Sequence, residues 1–252
     1  MTDDVWQALL TLKKTGSDAE FDTSPASAVY GAIAKATGPF VLAQVGQSLD
    51  GRVATPAGDA RDVSGPDGLA HLHRCRALVD AVIVGEHTVS ADNPRLSVRI
   101  VNGSDPIRVA IDCHARLKGD EGLFHDGGAP VIVFQSTHAN LQDYPNARVI
   151  RLQPTDTGLA PAEILAELSN LGLKKILVEG GAKTIARFIN AGMVDRLHVA
   201  ISSLIIGSGP TGINLPAIET LSEAHRPTTR VYSLGSDILF DCELKNCRQS
   251  LG

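Results

Sequence analysis

The chain has 252 residues, 43% apolar and 20% charged, an ordinary globular composition that suits one compact domain with an added segment or two small domains. Its net charge of −5 gives no bulk attraction to nucleic acid or anionic membrane, leaving only the option of a local basic pocket. No run reaches about 18 uninterrupted apolar residues, and MTDDVWQALLTLKK turns from acidic to basic, the reverse of a secretory signal, so no membrane span and a cytoplasmic location are expected.

Residues 3–14 predict a short amphipathic helix with Trp6, Leu9 and Leu10 on its apolar stripe. The following KTGSDAEFDTSPAS is polar and broken by Gly and Pro. Residues 1–38 therefore read as an extension, a helix and linker, that packs on the main body or on a partner. The main body, 39–252, opens with the strand PFVLAQV and the turn SLDG. After a polar loop, Ser64 is positioned to cap a helix with Pro66 and Asp67 in its first turn, ending near Val79. AVIVG predicts a buried strand, EHTVSADNPRLS a polar loop, and IRVAID, PVIVF and ARVIRL further strands. PAEILAELSNLG predicts a helix, KILVE a strand, AKTIARFINAG a helix and RLHVAIS a strand. VYSLGSDILFDCEL predicts an antiparallel hairpin around Gly235. This alternation implies an α/β layered fold with a mixed sheet and no internal repeat.

Cys75, Cys113, Cys242 and Cys247 read as buried or incidental thiols, and the last two, five apart with no partner pair, form a poor zinc pattern. His71 and His73 form no metal pair with the other histidines by spacing and are expected to be packed or at the surface. GSGPTG (207–212) formally matches a dinucleotide fingerprint. No helix follows, Pro210 interrupts it and no acidic residue lies at the required distance, so a plain strand-end loop is expected.

ILVEGGAKTIARFI (176–189) is the better candidate for a ligand. Gly180 and Gly181 let a ligand approach the backbone, and the helix that begins at Ala182, Lys183 and Thr184 offers free N–H groups to phosphate. A plain strand-to-helix corner accounts equally well for the segment alone. If Glu179 shares the site, its charge must face a hydroxyl or amine rather than phosphate. Asp50 is either a turn residue or a carboxylate lining a strand-end cleft. Arg76 is either ion-paired on its helix or a bidentate phosphate ligand. The loop with Thr88, Asp92, Asn93, Arg95 and Arg99 is dense in polar groups. No nucleophile elbow, P-loop, HExxH or zinc deaminase signature is present.

SLDGRVA (48–54), HRCRA (73–77), VDAVIVGEHTVSADNPRLSVR (79–99), PIRVAID (106–112), LVEGGAKTIARFI (177–189) and VDRLHVAISSLIIG (194–207), in this order, resemble the reductase domain of riboflavin biosynthesis over roughly residues 39–247. The resemblance implies a dihydrofolate-reductase-like three-layer sandwich with a mostly parallel mixed sheet and a C-terminal antiparallel hairpin. It implies NADPH-dependent reduction of a ribosylaminopyrimidine 5′-phosphate to its ribitylamino form, in a homodimer. Gly46, Thr88 and Asp92 fall on cofactor positions, and the stretch Gly180, Gly181, Ala182, Lys183, Thr184 on the loop for cofactor phosphate. Arg76, Leu96, Arg99 and Glu179 fall on substrate positions, the arginines toward phosphate. Asp50, Glu179 or water would deliver the proton.

Gln44 and Gly46 replace a lysine and alanine common in bacterial members, and Ala60 and Asp62 stand for a serine and tryptophan. These departures keep two other readings open: a reductase of the diamino pyrimidinone or of another pterin or pyrimidine, and a non-catalytic nucleotide-binding protein of the same fold.

Overall fold

Val- and Ile-rich runs become strands, and the segments between them become helices wherever an apolar face repeats at helical spacing. The computed structural model describes residues 1–16 and 25–244, so Cys247 lies outside the described residues. In chain order the elements are α1 (Asp3–Thr15), α2 (Pro25–Lys35), β1 (Phe40–Gln47), α3 (Pro66–Leu78), β2 (Ala81–Gly85), α4 (Glu86–Asp92), β3 (Ile107–Ile111) and β4 (Val131–Ser136). Then come β5 (Ala147–Leu152), β6 (Pro154–Thr155), β7 (Gly158–Leu159), α5 (Pro161–Asn170), β8 (Lys175–Glu179), α6 (Ala182–Asn190), β9 (Arg196–Ser202), β10 (Thr228–Ser233) and β11 (Asp237–Glu243). The class is the expected one: an α/β sandwich with a mixed, mostly parallel sheet and a C-terminal antiparallel hairpin. Among the described residues no helix is long and apolar enough to cross a membrane.

Two compact units interleave along the chain, Met1–Phe40 with His73–Val178, and Val41–Leu72 with Glu179–Gly252. In the first, the strand order is β8-β2-β3-β4-β5, all parallel. β2, with Ala81 through Val84 buried, has the continuous apolar character of a strand covered on both faces. α1 forms where expected. Thr2 caps its start, Gly16 ends it in the left-handed region (φ 61), and Trp6, Leu9 and Leu12 are buried.

α2 departs from expectation. The PAS that ends the supposed linker is the beginning of a helix. Pro25 is its first residue, where the missing N–H costs nothing, and Val29, Tyr30, Ile33 and Ala34 are buried. Trp6 and Tyr30 meet edge to face at 6.0 Å. α4 also departs from expectation, since EHTVSAD is a seven-residue helix rather than loop. It is stopped by Asn93, whose left-handed φ of 43 lets its N–H reach the Val89 carbonyl at 3.1 Å.

In the second unit the order is β10-β11-β9-β1, with β1 parallel to β9 and both hairpin pairings antiparallel. The start of α3 corrects the sequence expectation for Ser64. Its first-turn N–H groups are satisfied from the far end of the chain. Asp237 accepts from Gly65 N–H (3.2 Å) and Gly68 N–H (2.8 Å), while Ser236 Oγ accepts from Asp67 N–H (3.1 Å). A buried carboxylate on a helix N-terminus gains from both hydrogen bonding and the helix dipole. Gly68 is required at this contact, because a Cβ there would run into the Asp237 carboxylate.

Beneath the hairpin runs a buried polar chain. Asp241 stands opposite His198 in the β9–β11 register, and Glu243 opposite Arg196. Arg196 Nε lies 2.6 Å from Asp241 Oδ1, a close ion pair without hydrogen-bond alignment. His198 Nε2 is 3.3 Å from the same oxygen, and its Nδ1 is 3.2 Å from His71 Nε2. Burial pushes His198 below its ordinary pKa, Asp241 opposes that and Arg196 adds to it, with burial the largest cause. The spacing of His71 in the sequence gave no sign of this partner.

Candidate functional site

The first unit gathers the arginines. His73 and Arg76 stand three apart on α3, on neighbouring faces of one turn. Arg76, itself buried, donates from Nη1 to the Ser97 carbonyl at 3.1 Å, and Arg99 donates from Nη1 to Ser97 Oγ at 2.9 Å. The Arg99 N–H donates to His73 Nδ1 at 3.0 Å, and Val98 N–H to Asp105 at 2.6 Å. Partial burial lowers the pKa of Arg99, and Arg76 and Arg95 lower it further, against Asp105 alone. Arg76, Arg95 and Arg99 thus concentrate positive charge on this unit. His73 is held neutral, at about 4, chiefly by burial and then by Arg76 and Arg99. A neutral ring can accept the Arg99 N–H, so the histidine orders the arginine's backbone.

On the same unit, Thr88 is buried in α4 and Asp92 ends that helix. Partial desolvation raises the Asp92 pKa, with His87 acting against it. Asn93 fastens the following loop by accepting from Gly122 N–H at 2.7 Å. Leu96 is 2% exposed and has a φ of 54. A bulky residue in the left-handed region costs about 1–2 kcal/mol, so the loop between α4 and Arg99 is held in a conformation its own sequence does not favour.

The second unit carries the glycine corner. Gly180 (φ 66) and Gly181 (φ 30) both have left-handed φ, and Gly181 precedes α6 with no side chain capping its first N–H groups. Ala182, Lys183 and Thr184 form that first turn. Glu179, at the end of β8, is 5% exposed and is not without a partner. Gly46, in β1, lies against Ser64, whose Oγ occupies the space a Cβ at 46 would take. Asp62 has a φ of 61, a left-handed conformation that a short polar side chain adopts more readily than a bulky one.

Asp50 is exposed and serves its turn. Its Oδ1 accepts from Ser48 Oγ at 2.6 Å and Ile206 N–H at 3.1 Å, and its Oδ2 from Gly207 N–H at 2.6 Å. Led by the Ser48 bond, these hold its pKa at about 2, below the ordinary 3.8. A carboxyl so firmly ionised is a poor proton donor, which favours the turn reading over the catalytic one. Because the folded pKa is depressed, the stabilisation is present above about pH 4 and disappears as pH falls through about 2. Asp50→Asn is expected to be less stable than the parent at neutral pH, with the gap closing between about pH 4 and 2. Urea midpoints across that range check it, and a gap that persists undiminished at the acid end contradicts it.

GSGPTG is a structural loop, as expected. Arg52 donates to the carbonyls of Gly207 (3.0 Å) and Gly209 (3.1 Å), and Val53 N–H to Pro210 (3.0 Å). Sequence reasoning did not single out His73, Ser97 and Asp105, which the structure sets beside Arg76 and Arg99 and their loop. HRCRA held a signal, since His73 sits one helical turn from Arg76, but the bonds to 97–105 depend on a loop whose path no local pattern gives.

A family model described as the RibD C-terminal domain matches residues 39–240. The 2,5-diamino-6-ribosylamino-4(3H)-pyrimidinone 5′-phosphate reductase of Methanothermobacter thermautotrophicus is 30% identical over 220 residues, 82% of this chain and 99% of that protein. The riboflavin biosynthesis protein RibD of Bacillus amyloliquefaciens is 28% identical, over 79% of this chain and 56% of that protein. A diaminohydroxyphosphoribosylaminopyrimidine deaminase/5-amino-6-(5-phosphoribosylamino)uracil reductase from Thermotoga maritima superposes with a TM-score of 0.68 at 25% identity, over 86% of this chain and 60% of that one. The chain thus spans three-fifths or less of the last two relatives.

Proposed function

This chain belongs to the RibD C-terminal domain family, and from that membership we propose that it is an NADPH-dependent reductase of a ribosylaminopyrimidine 5′-phosphate. The observation that carries this reading is the meeting of Arg76 and Arg99 on Ser97, which prepares a planar, bidentate grip for a phosphate monoester. When bound, NADPH supplies the hydride that reduces C1′ of the open-chain imine form of the substrate to the ribitylamino group. The chain fits that cofactor: Gly180 and Gly181 offer an approach free of Cβ atoms, and the uncapped first turn of α6 offers N–H groups to its phosphates. Gly46, Thr88, Asp92 and Lys183 complete the proposed cofactor set.

Arg76 and Arg99 hold the substrate phosphate, and Leu96 packs against the substrate. Glu179 accepts from a ribose hydroxyl or the amine and holds the sugar in line for reduction. The proton that accompanies the hydride comes from water, directly or relayed by Glu179 or Asp50. Pairing along β10 is part of the same proposal. β10 is the outer strand of its unit's order and exposes Val231, and sedimentation velocity tests the dimer.

The purified chain is expected to oxidise NADPH when given the phosphorylated aminopyrimidine, and to leave dihydrofolate unchanged. Both the amino-oxo and the diamino forms belong in the assay. The diamino form is a specific second reading, because the Methanothermobacter relative named for it matches over 99% of its own length. NADPH binding without turnover of either form would favour a non-catalytic nucleotide-binding role.

A further inference from the structure

The family match begins at residue 39, yet the segment ahead of it reaches the two phosphate-directed arginines by two separate routes. Lys13, in the last turn of α1, donates from Nζ to the carbonyls of Ala77 (3.1 Å) and Val79 (2.8 Å). These carbonyls close the C-terminal end of α3, directly after Arg76. A cation there satisfies orphan carbonyls and complements the helix dipole. Burial lowers the Lys13 pKa, and Asp80 opposes this as the next largest influence. The two carbonyl acceptors hold the Lys13 ammonium at this place.

Trp6, two helical turns earlier on α1, donates from its indole Nε1 to the Asn102 carbonyl at 2.8 Å. Asn102 lies three residues beyond Arg99, on the same loop. A cavity of about 340 Å³ is lined by Thr2, Asp3 and Trp6 from the start of α1 together with Arg74, Arg99 and Asn102. α1 is itself a firm support, with Leu9 and Leu12 buried and Trp6 packed on Tyr30.

We propose that Trp6 and Lys13 are positioning residues for substrate phosphate: the N-terminal extension clamps α3 and the 97–102 loop so that Arg76 and Arg99 stay convergent. Two like-charged guanidiniums repel each other and separate unless their backbones are held. A clamp supplied by the protein moves that cost out of the binding step, so it appears as affinity for the phosphate group and not as catalytic rate. The inference rests on the reading of Arg76 and Arg99 as phosphate ligands given under Proposed function.

The test uses the full chain with Trp6→Phe, which keeps an aromatic ring and removes the N–H, and Lys13→Met, which keeps the stem and removes the charge. Five quantities are measured: the Kd of ribose 5-phosphate by calorimetry, KM and kcat with the phosphorylated aminopyrimidine, kcat/KM with its dephosphorylated form, and the Kd of NADPH. Losing one such bond is expected to weaken ribose 5-phosphate binding and raise KM for the phosphorylated substrate by about 5–20-fold. The other three quantities should stay within about twofold, because only the phosphate grip is disturbed. A lowered Tm with unchanged KM and unchanged ribose 5-phosphate affinity overturns the clamp and leaves a merely structural extension. Equal loss on phosphorylated and dephosphorylated substrates overturns it too. Failure of the underlying reading looks different: Arg76→Met would then leave ribose 5-phosphate binding unaltered, whatever the extension does.

Discussion

Arg76→Met raises KM for the phosphorylated pyrimidine by about 100-fold, equivalent to about 2.7 kcal/mol, and leaves the Kd of NADPH within about twofold. Arg76 is buried, and its guanidinium is anchored through Nη1 to the Ser97 carbonyl, so it is already aimed before any ligand arrives. Methionine keeps most of the apolar stem, which restricts the damage to the charge and its forked donors. Arg76→Lys makes an informative companion. It restores the charge but not the planar fork, and should recover only part of the affinity. Arg76→Met, unlike Arg76→Lys, also relieves Arg99 of a repelling neighbour. Steady-state kinetics with phosphorylated and dephosphorylated substrates decide the matter. If both suffer alike, Arg76 acts on the fold of α3 and not on phosphate.

Glu179→Gln is expected to lower kcat/KM by about 10²–10³-fold, in the range of a lost acid–base or transition-state contact, while NADPH affinity measured by fluorescence titration changes by no more than about twofold. Glutamine has the same shape, so the buried end of β8 stays filled and only the charge is lost. The separation of effects follows from the chemistry of this corner. In the proposed roles, the backbone N–H groups at the start of α6 would serve phosphate and are indifferent to the side chain at 179. A carboxylate serves hydroxyl and amine donors and would repel phosphate. Equal losses in NADPH affinity and turnover would place Glu179 in the cofactor grip and remove the division.

Most elements were legible because their signals are local. Alternating β and α runs gave the class, and Gly235 with its flanking strands gave the hairpin. The failures share one cause, which is that the deciding partner lies far away in the chain. Ser64 looked like a helix cap, but Asp237 and Ser236 occupy the start of α3. Pro25 looked like a breaker because nothing local showed the buried face of Val29 and Ile33 beyond it. His71 looked isolated because its contact, His198, is 127 residues away. At the site, the resemblance supplied Arg76 and Arg99 by position. The convergence of both on Ser97, and the neutral His73 behind them, required coordinates. Asp50 shows the opposite limit, since its turn was visible but the loop it fastens, at Ile206 and Gly207, was not.

The interleaving of the two units sets a timetable for a newly made chain. β1 leaves the ribosome early, but its parallel partner β9 follows far behind, and Val41 waits for Asp195 across 154 residues. At translation speeds of about 5–20 residues per second, that interval is on the order of ten seconds or more. Throughout it, the apolar stretch from Val41 to Val45 has no β9 to pair with. The first unit can gather β2, β3, β4 and β5 from nearby sequence in the meantime, since those strands follow one another. The second unit is a late closure, and its high contact order makes it the slow and aggregation-exposed step of synthesis.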